Sequence, residues 1–298
     1  MGLPSASALV AEVGDVPADV PRMVGSFDGD QLLVPLLTPA VPAVTDQLRA
    51  AASLARTTGS TLHVVVPTAT PERTSRTYGP ELTRADEREL LDWAVETVSS
   101  PASGIGELSS AHRLVNGIAG TIGRHDIDTL VVPSESSTGL LSQGVTERLA
   151  LRAECDVITV NGRYGYERVP SILLAVAGGP HSGLATDVAR RIAVDFDAWV
   201  DVLHVVDEDA PAHRRRRAEA HVEAACERIG RPESTTTWIL EAADVAEAII
   251  EQSGYYGLTV VGAPTKGRLR QFIAGSTNRT IRDNARSVVV SARNNDSQ

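Results

Sequence analysis

The residues of this chain best suited by type and spacing to do chemistry lie in one stretch, residues 258–281, LTVVGAPTKGRLRQFIAGSTNRTI. A short apolar run stops at Gly262, a glycine-containing loop follows, and a helical pattern resumes near Gly275, Ser276 and Thr277, which predicts strand, loop and helix. Glycine at a strand's end lets backbone approach a ligand closely, and a Gly-Ser-Thr step at a helix start offers N–H groups and hydroxyls to an anion. Lys266, the only lysine in the chain, stands in the loop with Arg268 and Arg270, a set able to neutralise a polyphosphate. This chemistry is phosphate binding. The alternative is a solvated loop that merely joins strand to helix, because short glycine motifs also arise without a ligand.

No catalytic pattern accompanies the stretch. Residues 262–267 have the glycine spacing of a GxxxxGK[ST] loop, but Arg268 and Leu269 stand where Lys and Ser or Thr belong. GxSxG, HExxH and CxxC patterns are absent, so the chain is expected not to be an enzyme and to hold no metal. Cys155 and Cys226 lack metal-ligand spacing and are expected to be buried thiols. With 38 acidic against 28 basic residues the net charge is −10, which disfavours nonspecific binding to nucleic acid or anionic lipid. The one basic block, Arg214 to Arg217 after His213, is expected to be a solvated face paired with Asp207, Glu208 and Asp209. The first residues lack a signal-peptide pattern, and no run approaches the roughly 18 apolar residues of a spanning helix, so a soluble, cytoplasmic, not membrane-embedded protein is expected. Residues 1–28, broken by Pro4, Pro17 and Pro21, read as a tail or a strap over the domain that follows.

The elements that must position these residues occur twice. QLLVPL (31–36) has a counterpart in SILLAV (171–176), and Leu62-His63-Val64-Val65 returns as Leu203-His204-Val205-Val206, with offsets of about 140 residues. Between each pair lies a helical pattern with one buried face, carrying Leu48, Ala51, Ala52 and Ala55 or Leu184, Val188, Ala189, Ile192 and Ala193. A second helix follows a variable connector, then a third strand near 111–115 or 235–240, a short helix, a fourth strand at 129–132 or 258–261, and a last helix and strand. The strands are apolar runs without polar alternation, as in a parallel sheet covered on both faces. The fold class is therefore α/β, with two tandem doubly wound domains at 29–163 and 168–293, joined by a linker rich in Gly and Pro.

The glycine of position 262, nine residues between Thr265 and Gly275, and the Gly275-Ser276 step resemble the nucleotide loop of universal stress proteins, in which a glycine, two residues, a glycine and nine residues precede Gly-Ser/Thr. The second glycine is replaced by Thr265. With the duplicated pattern, the resemblance covers residues 31–292 and implies five-stranded, Rossmann-like, adenine-nucleotide-hydrolase-like sheets of order 3-2-1-4-5. It also implies that the last strands of the two copies pair, as an intrachain pseudo-dimer. It implies ATP or AMP in the second copy, with Gly262 and Lys266 by the phosphates, Gly275, Ser276 and Thr277 on the triphosphate, and Gly178 with Val205 near the adenosine. The acid that contacts the nucleoside in ATP-holding members is replaced by Leu37 and Ala177, a loss on the order of 1 to 3 kcal/mol for a good polar contact. The first copy has Pro133 where the loop should open with glycine, and is expected not to bind. His181 is expected to be a solvated helix cap, and His63 and His204 repeated structural residues. The function implied is stress-response regulation without turnover. The alternative is a ligand-free module that docks on a membrane transporter or another stress protein, since some transporters carry such tandem domains at their cytoplasmic ends.

Overall fold

The computed structural model describes residues 23, 25–27, 29–37, 41–68, 84–98, 103–110, 114–134, 145–162, 166–263 and 277–295. The first half runs β1 (Gln31–Pro35), α1 (Val41–Thr58), β2 (Thr61–Thr68), α2 (Arg84–Val98), β3 (Ser103–Ser110), α3 (Leu114–Arg124), β4 (Thr129–Pro133), α4 (Val145–Arg152) and β5 (Asp156–Asn161). The second repeats it with β6 (Ser171–Ala175), α5 (Ser182–Phe196), β7 (Trp199–Val206), α6 (Ala212–Ile229), β8 (Thr235–Glu241), α7 (Val245–Ser253), β9 (Leu258–Gly262), α8 (Thr277–Asn284) and β10 (Val288–Arg293). All ten strands form one sheet of order β3-β2-β1-β4-β5-β10-β9-β6-β7-β8. Each half is parallel with the order 3-2-1-4-5, and the halves meet where β5 and β10 pair antiparallel.

Local chemistry explains the elements. Strands β4, β5 and β10 are buried along their whole length, as β-branched runs covered on both faces must be. Asp244 caps α7 by accepting from the N–H groups of Ala246 and Glu247, and Gly230 ends α6 in the left-handed conformation at φ 66°. The core is mainly aliphatic, with Phe27 its one fully buried aromatic among the described residues.

The third strand of the first half differs from expectation. It runs over Ser103–Ser110; of the stretch at 111–115, Leu114 and Val115 open α3 and residues 111–113 lie outside the described residues. This strand lies at the sheet's edge, where Ile105 is 50% exposed, so its sequence SGIGELSS carries no apolar run to betray it.

The N-terminal segment also departs from expectation, because its described part straps the second half and not the domain that follows it. The Phe27 N–H donates to Asp187 Oδ2 on α5 at 2.9 Å. Arg228 of α6 grips both Asp187 oxygens at 2.8 Å and donates to the carbonyls of Met23, at 3.0 Å, and Gly25. The connector between the halves does the reverse. The Tyr166 N–H donates to Asp46 of α1 at 2.9 Å, and Arg49 donates to the Tyr166 carbonyl. Each lead-in segment is thus held by an aspartate on the other half's first helix. Both aspartates occur in a repeated Thr-Asp step, 45–46 and 186–187.

Further reciprocal contacts follow the same pattern. The β5–β10 register is symmetric about Thr159↔Ser291, with Asn161↔Val289 and Val157↔Arg293 as its two ends. Asn161 donates to the Arg282 carbonyl at the end of α8, while Asn295 donates to the carbonyls of Ala150, Ala153 and Cys155 around the end of α4. Between the halves, Arg56 Nε of α1 meets Asp195 Oδ1 of α5 at 2.8 Å. Contacts from the second half therefore extend beyond residue 293.

Candidate functional site

In a doubly wound sheet the ligand crevice opens beyond the carboxyl ends of the strands where the order reverses, here β1/β4 and β6/β9. The two crevices differ. In the second half β6 and β9 stay paired from Ile172↔Leu258 to Ala175↔Val261. In the first half pairing covers only Leu32↔Thr129 and Leu33↔Leu130. Pro35 at the end of β1 has no N–H to give. Gln47 of α1 fills the resulting gap, its Nε2 donating to Pro35 O at 3.1 Å and Val131 O at 2.9 Å. Leu37, at the position of the missing acid, is buried among Leu33, Val65 and Val132. Thr146, in the first turn of α4, donates its hydroxyl to Pro133 O at 3.1 Å. The strand ends that border the first crevice are therefore occupied by its own side chains. Gln47→Leu is expected to destabilise the chain by about 2 kcal/mol, since it strips a donor from two buried carbonyls; urea unfolding checks this.

In the second half, Gly178 follows β6 at φ +66°, and a Cβ there would overlap the His221 ring. Val205, near the end of β7, packs its side chain against the cluster of Leu173, Leu203 and Val261. Gly262 is the last residue of β9, and a Cβ on it would lie 3.3 Å from the backbone carbonyl of His181. The absence of a side chain at Gly262 thus lets the start of α5 close on the end of β9. Thr277 is the first residue of α8, so a strand ends and a helix begins where the sequence predicts them, while residues 264–276 lie outside the described residues. Lys266, Gly275 and Ser276 lie outside the described residues, as do the side chain of Thr277 and the loop departure at Thr265. Ala177, at the second position of the missing acid, is exposed.

His181 is not a solvated cap. It stands at the N-cap of α5 but is buried and makes no side-chain cap, and its Nδ1 accepts from the N–H of Asn294 at 3.1 Å. Burial, and then the nearby Arg293, push its pKa down to about 4, so the ring is neutral at pH 7. The Gly-Gly-Pro-His segment suggested exposure, and the burying contact comes from a residue 113 positions away. His63 binds Gln31 Oε1 through Nε2 at 2.7 Å, consistent with a structural role.

The basic block meets the expectation in part: Arg214 pairs with Asp207 at 3.4 Å, whereas Arg215 pairs with Glu241, outside the expected acids. Cys155 is buried, whereas Cys226 is only half-buried. Among the described residues no group of three or more His, Cys, Asp or Glu is placed to hold a metal, and no helix is long and apolar enough to cross a membrane.

No protein-family model matches the chain, and no curated protein matches it. Solved structures do. A universal stress protein from Archaeoglobus fulgidus DSM 4304 is 14% identical, with 91% of this chain and 98% of that one covered and a TM-score of 0.61. A functionally unknown protein from Pseudomonas aeruginosa PAO1 is 18% identical over 90% of this chain and 94% of that one, with a TM-score of 0.58. A universal stress protein from Archaeoglobus fulgidus in complex with dAMP is 21% identical, covers 45% of this chain and 98% of its own, and has a TM-score of 0.34. The full-length matches, the strand order 3-2-1-4-5 in both halves and the duplicated element order agree: this chain has the universal stress protein fold, in tandem.

Proposed function

We propose that this chain is a cytoplasmic universal-stress-type regulator, an intrachain pseudo-dimer that binds an adenine nucleotide, ATP or AMP, in its second half and does not turn it over. The observation that carries this reading is the contrast between the two switch points. Gln47, Leu37 and Thr146 occupy the strand ends of the first, while the second keeps Gly262 at the strand's end, close against the start of α5, with α8 beginning at Thr277. Gly262 and Lys266 would take the phosphates, Gly275, Ser276 and Thr277 the triphosphate, and Gly178 and Val205 the adenosine side. The reciprocal lead-ins and the symmetric β5–β10 register support the pseudo-dimer.

Gln47 at the strand ends of the first half favours a second role for that half, a ligand-free surface for a protein partner such as a transporter or another stress protein. Freshly purified protein, denatured and chromatographed, is expected to release adenine nucleotide near one equivalent, and Gly275→Asp to release none. Release from neither protein would leave the interaction role as the reading that stands.

A further inference from the structure

His204 of β7 and His221 of α6 stack in the second half, ring centroids 5.3 Å apart and planes inclined by 25°. His221 is 3% exposed, and the Gly178 turn lies directly against its ring. Among the described residues neither nitrogen of His221 has a hydrogen-bond partner, and neither does Nδ1 of His204. The equivalent histidine of the first half, His63, is anchored by Gln31 instead. His63 also packs against a second imidazole, His125, with ring centroids 4.9 Å apart, so the two copies differ in the anchor: Gln31 holds His63, whereas Nδ1 of His204 has no partner among the described residues.

We propose that the His204–His221 pair is an acid-sensitive latch: a proton taken up by either ring releases the Gly178 turn from α6 and loosens the carboxyl edge of the second half.

The surroundings give the sign. Arg217, one turn before His221 on α6, acts on both rings and disfavours a further positive charge. Ile239 of β8, opposite His204 in register, is apolar, and Gly178 and Gly179 on the turn carry no charge. Burial, then His221 and then Arg217, hold His204 down at about 4, and burial followed by Arg217 lowers His221 as well. The unfolded chain, with ordinary values near 6.5, therefore binds protons first as the pH falls. The contact is fully stable above about pH 7 and weakens between roughly 6.5 and 4. His181, also near 4, adds to the global loss in this window, so a local readout is required.

The Gly179 N–H supplies one, since it donates to Ser182 Oγ within the turn at 3.1 Å. Hydrogen exchange of this amide, corrected for the intrinsic pH dependence of exchange, is expected to be about tenfold faster at pH 5 than at pH 7.5, as a shift of one pKa unit allows. In His221→Gln, and separately in His204→Phe, which keeps a ring for the stack, that acceleration is expected to shrink severalfold. Equal protection of the wild-type Gly179 amide at both pH values overturns the proposal, even if a variant fails to fold. An undiminished acceleration in a folded variant of either histidine overturns it as well.

Discussion

Asp187→Ala is expected to lower the unfolding free energy by about 3 kcal/mol, because it strips the partner from a largely desolvated guanidinium and cuts the strap loose. Asp187 is buried and accepts from Phe27 N–H and from two atoms of Arg228, which in turn holds the carbonyls of Met23 and Gly25. The strap also carries Phe27, 1% exposed, into the core. Urea unfolding of Asp187→Ala, Arg228→Ala and the double variant separates the ion pair from the strap. The double variant should lose less than the sum of the single ones, since removing both charges leaves neither buried alone. A loss below about 1 kcal/mol in Asp187→Ala, the range of exposed pairs, would place the strap outside the folded core.

Gly162→Ala is expected to destabilise by about 2 to 3 kcal/mol through overpacking against backbone. Gly162 follows β5, and a Cβ there would lie 2.6 Å from the Ala43 carbonyl oxygen and 2.9 Å from its carbonyl carbon in the first turn of α1. A backbone neighbour cannot rotate away as a side chain can. Gly120 and Gly123 of α3 have open space around a Cβ, so Gly120→Ala should instead stabilise, by about 0.5 to 1 kcal/mol, through helix propensity alone. Thermal unfolding of the two variants should move in opposite directions.

The interior of the sheet was legible because interior strands must be apolar along their whole length. LTVV, TLVV and SILLA each announce a buried strand in place. The edge strand Ser103–Ser110 was hidden for the opposite reason: its neighbours on one side are solvent, and glycine and serine suffice there. The strap's destination lay beyond local reading, since Phe27 and Asp187 are 160 positions apart, although the repeated Thr-Asp step marked both holding residues. At the candidate site, Gly262 and Thr277 fall at a strand's end and a helix's start as the motif required. Gln47 in the first crevice could not be anticipated, because a glutamine in an amphipathic helix reads as polar surface until the gap left by Pro35 is seen. His181 misled for a related reason: its burial depends on the far end of β10, where Asn294 follows Arg293.

Calorimetric titration of nucleotide-free protein with ATP and with AMP tests whether one crevice of the two is a nucleotide site. Saturation at one nucleotide per chain is expected, unchanged in Gln47→Leu and lost in Gly275→Asp. Two sites per chain would contradict the asymmetry between the halves, and no binding of either nucleotide would contradict the site itself.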